Sequence, residues 1–69
     1  MTHSEFTQAR RKLGLSVVQM ADMLGMHPIQ VRRMEASPKV ASHRAVTPTT
    51  LRLLTAFLAG YRPADWPAA

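Results

Sequence analysis

The side chains of this sequence that could do chemistry are mostly nitrogen donors. Arg32 and Arg33 stand next to each other, two positions after Gln30, and Arg10, Arg11, Lys12, Lys39, Arg44, Arg52 and Arg62 complete a set of nine cations against four Asp and Glu. The formal charge is +5 and the sequence pI is near 11.3. A guanidinium presents a flat fork of donors that matches two acceptors on one edge, and a surplus of such groups suits a polyanion, with nucleic acid as the first candidate. The other readings of a basic balance are plain solubility and an amphipathic helix on a membrane. Acid–base and covalent chemistry are poorly provided for. The three histidines, His3, His27 and His43, fall on separate stretches without cysteine or carboxylate company, so no metal is expected. No nucleophile, base and orienting group converge and no glycine-rich phosphate loop is present, so neither enzymatic activity nor a cofactor is expected. The absence of cysteine fits a reducing interior. With no apolar run near the roughly 20 residues of a membrane span and a polar start, THSE, that is no signal peptide, a soluble protein of the cytoplasm is expected.

The elements that must position these donors are helical. Sixty-nine residues suggest one small domain, residues 1–69, whose core is marginal unless a second copy supports it. The pattern predicts an all-α fold of four helices, or five if the tail adds one. Thr2 to Ser4 offers several caps, and Phe6, Ala9 and Leu13 repeat as the inner face of a first helix that Gly14 ends. Its last turn carries Arg11 and Lys12, which fit either the helix dipole or a phosphate contact. Ser16 with Gln19 three positions later forms a capping-box pattern, Val17, Met20, Ala21 and Leu24 follow at helical spacing, and Gly25 supplies a left-handed stop. His27 in the cap position and Pro28 at the first helical position start a third helix. Its Val31 and Met34 face inward, which leaves Pro28, Ile29, Gln30, Arg32 and Arg33 outward. A core helix does not show two arginines and a glutamine.

These residues resemble the helix-turn-helix of the Cro-type and lambda-repressor-like family, the xenobiotic-response-element-type regulators. The resemblance runs from about Phe6 to Glu35, with its motif at 16–35. It rests on Leu13-Gly14-Leu15-Ser16, on Ala21, on Leu24-Gly25 and on Val31, Met34 and Glu35. It implies a dimer on double-stranded DNA, with the helix 28–35 in the major groove of an inverted-repeat operator. It also implies a structural ion pair between Arg10 and Glu35 that locks the first helix to the reading helix. The sequence departs from the family at three places. Val17 replaces a glutamine that contacts phosphate, a role Gln19 could partly take. His27 with Pro28 replaces a small hydroxyl cap, so His27 serves as a cap or as a phosphate ligand at the helix end. Ile29 stands where polar base readers are common, and either presses on a thymine methyl or packs on protein. Base reading is assigned to Ile29, Gln30 and Arg33, with Arg32 open between base and phosphate. Phosphate contacts are assigned to Arg11, Gln19, His27, Lys39 and Arg44.

Residues 36–47 lack a consistent period and read as a loop that carries Lys39, His43 and Arg44. Lys39 and Arg44 are phosphate clamps or ordinary solvated side chains. Thr47 caps and Pro48 starts the last helix, which stops at Gly60. Leu51, Leu54 and Leu58 make one apolar stripe, and Leu53 and Phe57 a second beside it. One stripe would close the core and the other would meet its copy in a two-fold interface, or both belong to one wide core face. A homodimer through 47–69 is expected, with Leu53, Phe57, Tyr61 and Trp66 at the interface, the last two on a proline-broken flap. The expected function is a sequence-specific DNA-binding repressor of its own operon or a neighbouring one. It is similar to the very small regulators of phages and mobile elements, including anti-CRISPR-associated autorepressors. The alternatives are an antitoxin that also binds its operator and a helical protein-interaction module. No second domain is expected, hence no place for a small-molecule ligand.

Overall fold

The computed structural model describes residues 1–67, so Ala68 and Ala69, the end of the segment expected to dimerise, lie outside the described residues. Four helices make up the regular structure of the described residues, with α1 at His3–Lys12, α2 at Val17–Leu24, α3 at Pro28–Glu35 and α4 at Pro48–Leu58. The protein is all-α. No helix of the described residues is long and apolar enough to cross a membrane.

Local chemistry sets nearly every boundary. At α1 the Thr2 hydroxyl accepts from the Glu5 N–H at 3.1 Å while the Glu5 carboxylate accepts from the Thr2 N–H at 2.8 Å, a complete capping box. Those Thr2 bonds, the backbone one first and the hydroxyl second, hold the Glu5 carboxyl below its ordinary value. Ser16 and Gln19 repeat the arrangement at α2, at 3.1 and 3.0 Å. Leu24 is followed by Gly25 at φ +70°, the left-handed conformation that stops a helix and turns the chain toward α3 within three residues. Thr47 caps α4 through the Thr50 N–H at 3.2 Å.

Phe6 and Ala9 of α1, Leu15 of the link between α1 and α2, Met20 and Ala21 of α2, Val31 and Met34 of α3 and Leu54 of α4 bury together as one core. α3 packs on both α2 and α1, and α4 packs on α2. Burial of this apolar surface is the main favourable contribution, at roughly 25 cal/mol per Å².

The face of α4 differs from the two expected stripes. Its buried residues are Thr50, Leu54 and Phe57, with Leu51 and Leu53 half-buried and Leu58 exposed. Two things turn the helix this way. The Thr47 hydroxyl donates to the Thr50 hydroxyl at 3.0 Å, which satisfies a polar group that would otherwise be costly to bury. The tail then folds back. Trp66 meets Phe57 edge-on at 5.1 Å between centroids, Tyr61 stacks on Phe57 at 6.0 Å, and Arg62 lies 4.3 Å above the Trp66 ring. Arg62 Nη1 also donates to the Phe57 and Tyr61 carbonyls at 2.7 and 2.8 Å, which closes the end of α4. Phe57 is therefore 1% exposed within a single chain. It is a core residue there and not an open interface residue.

Candidate nucleic-acid interface

Helix α3 is the element on which the outward donors stand, and it is fixed at both ends. At its start the His27 Nδ1 accepts from the Ile29 N–H at 3.1 Å, and Pro28 needs no partner for a missing N–H. An accepting Nδ1 places the proton of the neutral ring on Nε2. At its end Glu35 is held in a three-residue network. Arg10 Nε donates to Glu35 Oε2 at 2.9 Å and Arg10 Nη2 to Oε1 at 3.1 Å, the two-pronged geometry of a guanidinium on a carboxylate. Thr7 Oγ1 adds a donor to Oε1 at 3.0 Å, and Arg10 Nη1 reaches the Leu15 carbonyl at 3.0 Å. One arginine thus ties α3 to α1 and to the link between α1 and α2. The two charged side chains are only 15% and 14% exposed, so each relies on the other for much of the solvation it gives up. Thr7 was not singled out from the sequence, because a threonine on the flank of an amphipathic helix carries no periodic signal.

Between these anchors the direction of each side chain follows from the helix. Val31 and Met34 are buried, and at about 100° per residue the opposite arc falls on Ile29 and Arg33, four apart on one stripe, with Arg32 beside them. Ile29, Gln30 and Arg32 are exposed and Arg33 is half-buried. Gln30 sits on the flank next to Met34 and shares with it the lining of a cleft toward α4.

The residues expected to touch phosphate are scattered around this arc, with differing freedom. Arg11 is exposed in the last turn of α1. Gln19 is half-buried and has given its carbonyl oxygen to the Ser16 N–H, so only its NH₂ group remains to donate. His27 has taken the cap role. Lys39 is exposed on the loop after α3. Arg44 is exposed, but its Nη1 donates to the His43 carbonyl at 2.8 Å and its backbone N–H to the Arg33 carbonyl at 3.0 Å.

That last bond, with His43 Nδ1 on the Ala36 carbonyl at 2.8 Å, folds the 36–47 loop against the end of α3. Val40 and His43 N–H groups close two further turns within it, on the Ser37 and Val40 carbonyls. Of the other expected interface residues, Leu53 is half-buried, Tyr61 exposed, Trp66 half-buried and Phe57 covered. Among the described residues no three His, Asp or Glu side chains are grouped to hold a metal ion. Comparison with family models, with curated proteins and with solved structures finds no match for the chain, so its functional reading rests on this geometry and on the residue pattern of 6–35.

Proposed function

We propose that this protein is a sequence-specific DNA-binding regulator of the lambda-repressor-like kind, acting as a homodimeric repressor in the cytoplasm. The observation that carries this reading is the arc of Ile29, Arg32 and Arg33 on α3, a short helix capped at its start and locked by the Arg10–Glu35–Thr7 network at its end. A rigid helix with donors on its free side is what the major groove admits, and preorganised side chains lose less entropy on binding. Arg33 reads a guanine edge with its fork, and Ile29 contacts a thymine methyl. Arg32 serves a base or the neighbouring phosphate, and Arg11, Lys39 and Arg44 grip phosphates at the margins. The second copy meets the exposed Leu58 and Tyr61 at the end of α4, and the two-fold sets the half-sites about one helical turn, near 34 Å, apart.

The test is binding to labelled random duplex across a salt series, followed by selection from a random pool. Affinity that falls steeply with salt and a selected inverted repeat support the reading. Failure to bind any duplex at about 50 mM salt contradicts it.

A further inference from the structure

We propose that the cleft walled by α3, the 36–47 loop and the start of α4 binds a small organic anion, a carboxylate or phosphate on a compact apolar body, and that its occupant competes with DNA. The binding half stands on the cleft alone; the competition half rests on the DNA-binding reading above.

The cleft holds about 460 Å³, within the size range of small-molecule sites. Its loop wall is pinned to α3 by the Arg44 N–H and the His43 ring. Its floor is Met26 and Met34, thioethers that adapt to irregular apolar shapes, with Ala45 at the side. Its polar groups are Gln30, Arg44, Thr47 and Thr50, and among the described residues no acidic side chain lines it. The threonines act as a pair. Thr47 accepts the Thr50 N–H and the two hydroxyls share one hydrogen bond, which leaves one hydroxyl proton of the pair to donate to a ligand. A guanidinium, an amide and a donating hydroxyl around two thioethers call for an anion with an apolar body. A phosphate of the DNA backbone would use the Arg44 end and leave the thioether floor empty, whereas a free organic anion fills both. Because Gln30 is at once a cleft wall and a flank of the reading arc, a molecule seated there blocks the approach of a groove.

The sequence alone gave no sign of such a site, since its walls come from residues 26–34, 44–47 and 50, which periodicity does not join. The test uses four probes on the full chain, read by two-dimensional amide NMR. Phenyl phosphate and octanoate carry both features, inorganic phosphate lacks the apolar body and octanol lacks the charge. The first two should shift Gln30, Met34, Ala45, Thr47 and Thr50 together, with Kd on the order of 1 mM as befits ligands of this size. The controls should bind at least about tenfold more weakly. Ala45→Phe, a change at an exposed loop position that fills the cleft, should abolish the shifts with the rest of the spectrum intact. Arg44→Gln should weaken both anions about fivefold or more and leave octanol unchanged. Inorganic phosphate binding as well as phenyl phosphate, or shifts that survive Ala45→Phe, would overturn the site. Each anion should then displace a bound duplex from the wild type and not from Ala45→Phe. Cleft binding without displacement would overturn the competition, and a protein that binds no duplex at all would overturn the DNA reading while the cleft shifts still decide the site.

Discussion

Replacing Glu35 with Leu removes the acceptor of three hydrogen bonds and leaves the Arg10 guanidinium with the Leu15 carbonyl alone. Replacing Arg10 with Met leaves the Glu35 carboxylate with one hydroxyl donor, Thr7. Breaking a buried pair typically costs about 3 to 5 kcal/mol because a desolvated charge loses its counter-charge. With side chains 15% and 14% exposed, some water can reach either orphan, so the low end applies and each single change should cost about 3 kcal/mol. A chain of 69 residues has roughly 3 to 10 kcal/mol of stability in all, so both single variants should sit near the folding threshold. The double variant leaves no orphan charge. It should lose about 3 to 4 kcal/mol rather than the sum, a coupling on the order of 2 to 3 kcal/mol. The assay is urea unfolding followed by circular dichroism at fixed protein concentration, with unchanged slopes required for the comparison. Single losses that add to within about 0.5 kcal/mol would refute the reasoning, since residues without contact behave that way.

Three further outcomes follow from the same geometry. Trp66→Ala uncovers Phe57 and should cost about 2 kcal/mol, lowering the melting temperature by roughly 10 °C, while Phe57→Ala should cost about 3 to 5 kcal/mol; a Trp66 variant that melts like the wild type would mean the tail does not hold its place. Leu58→Asp should give a monomer in sedimentation that keeps the wild-type helical spectrum, because that side chain is already exposed in one chain and stands outside the Phe57 ring cluster; an unchanged sedimentation coefficient would contradict a dimer through this end of α4. Glu5 has a lowered folded-state pKa, so its contribution is present above its ordinary value of 4.5 and is lost as pH falls through the folded value. Glu5→Gln should therefore flatten the acid limb of a stability-versus-pH curve, and an unchanged limb would assign acid sensitivity to other carboxylates.

What could be read from the sequence was what neighbours in the chain decide. The Ser16–Gln19 capping box, the left-handed stop at Gly25 and the proline starts at Pro28 and Pro48 are local, and each appears in the structure where the pattern puts it. The inward positions Phe6, Ala9, Met20, Ala21, Val31 and Met34 follow the helical period. The misreadings came where distant segments meet. Phe57 is buried because Trp66 returns to it across a segment with no period, and that return, with the Thr47–Thr50 hydroxyl pair, sets which side of α4 faces inward. Thr7 joins the Glu35 network from 28 positions away. The 36–47 loop is held by bonds whose acceptors are backbone carbonyls, the His43 ring on Ala36 and the Arg44 N–H on Arg33 among them, and the spacing of side-chain types does not signal such acceptors. Arg44, which the sequence leaves open between a phosphate clamp and a solvated loop side chain, is exposed with its Nη1 on the His43 carbonyl.

In the proposed complex the free arc of α3 reads base pairs and the loop only grips. The most direct test is the affinity of wild type, Arg33→Ala and Lys39→Ala for the selected operator and a panel of its single-base changes, across a salt series. Arg33→Ala should lose roughly 1 to 3 kcal/mol per half-site and become indifferent at one base pair, while Lys39→Ala should weaken every sequence alike and lower the salt slope by about one. An Arg33→Ala protein that keeps the full sequence preference and loses only salt-sensitive affinity would contradict the account.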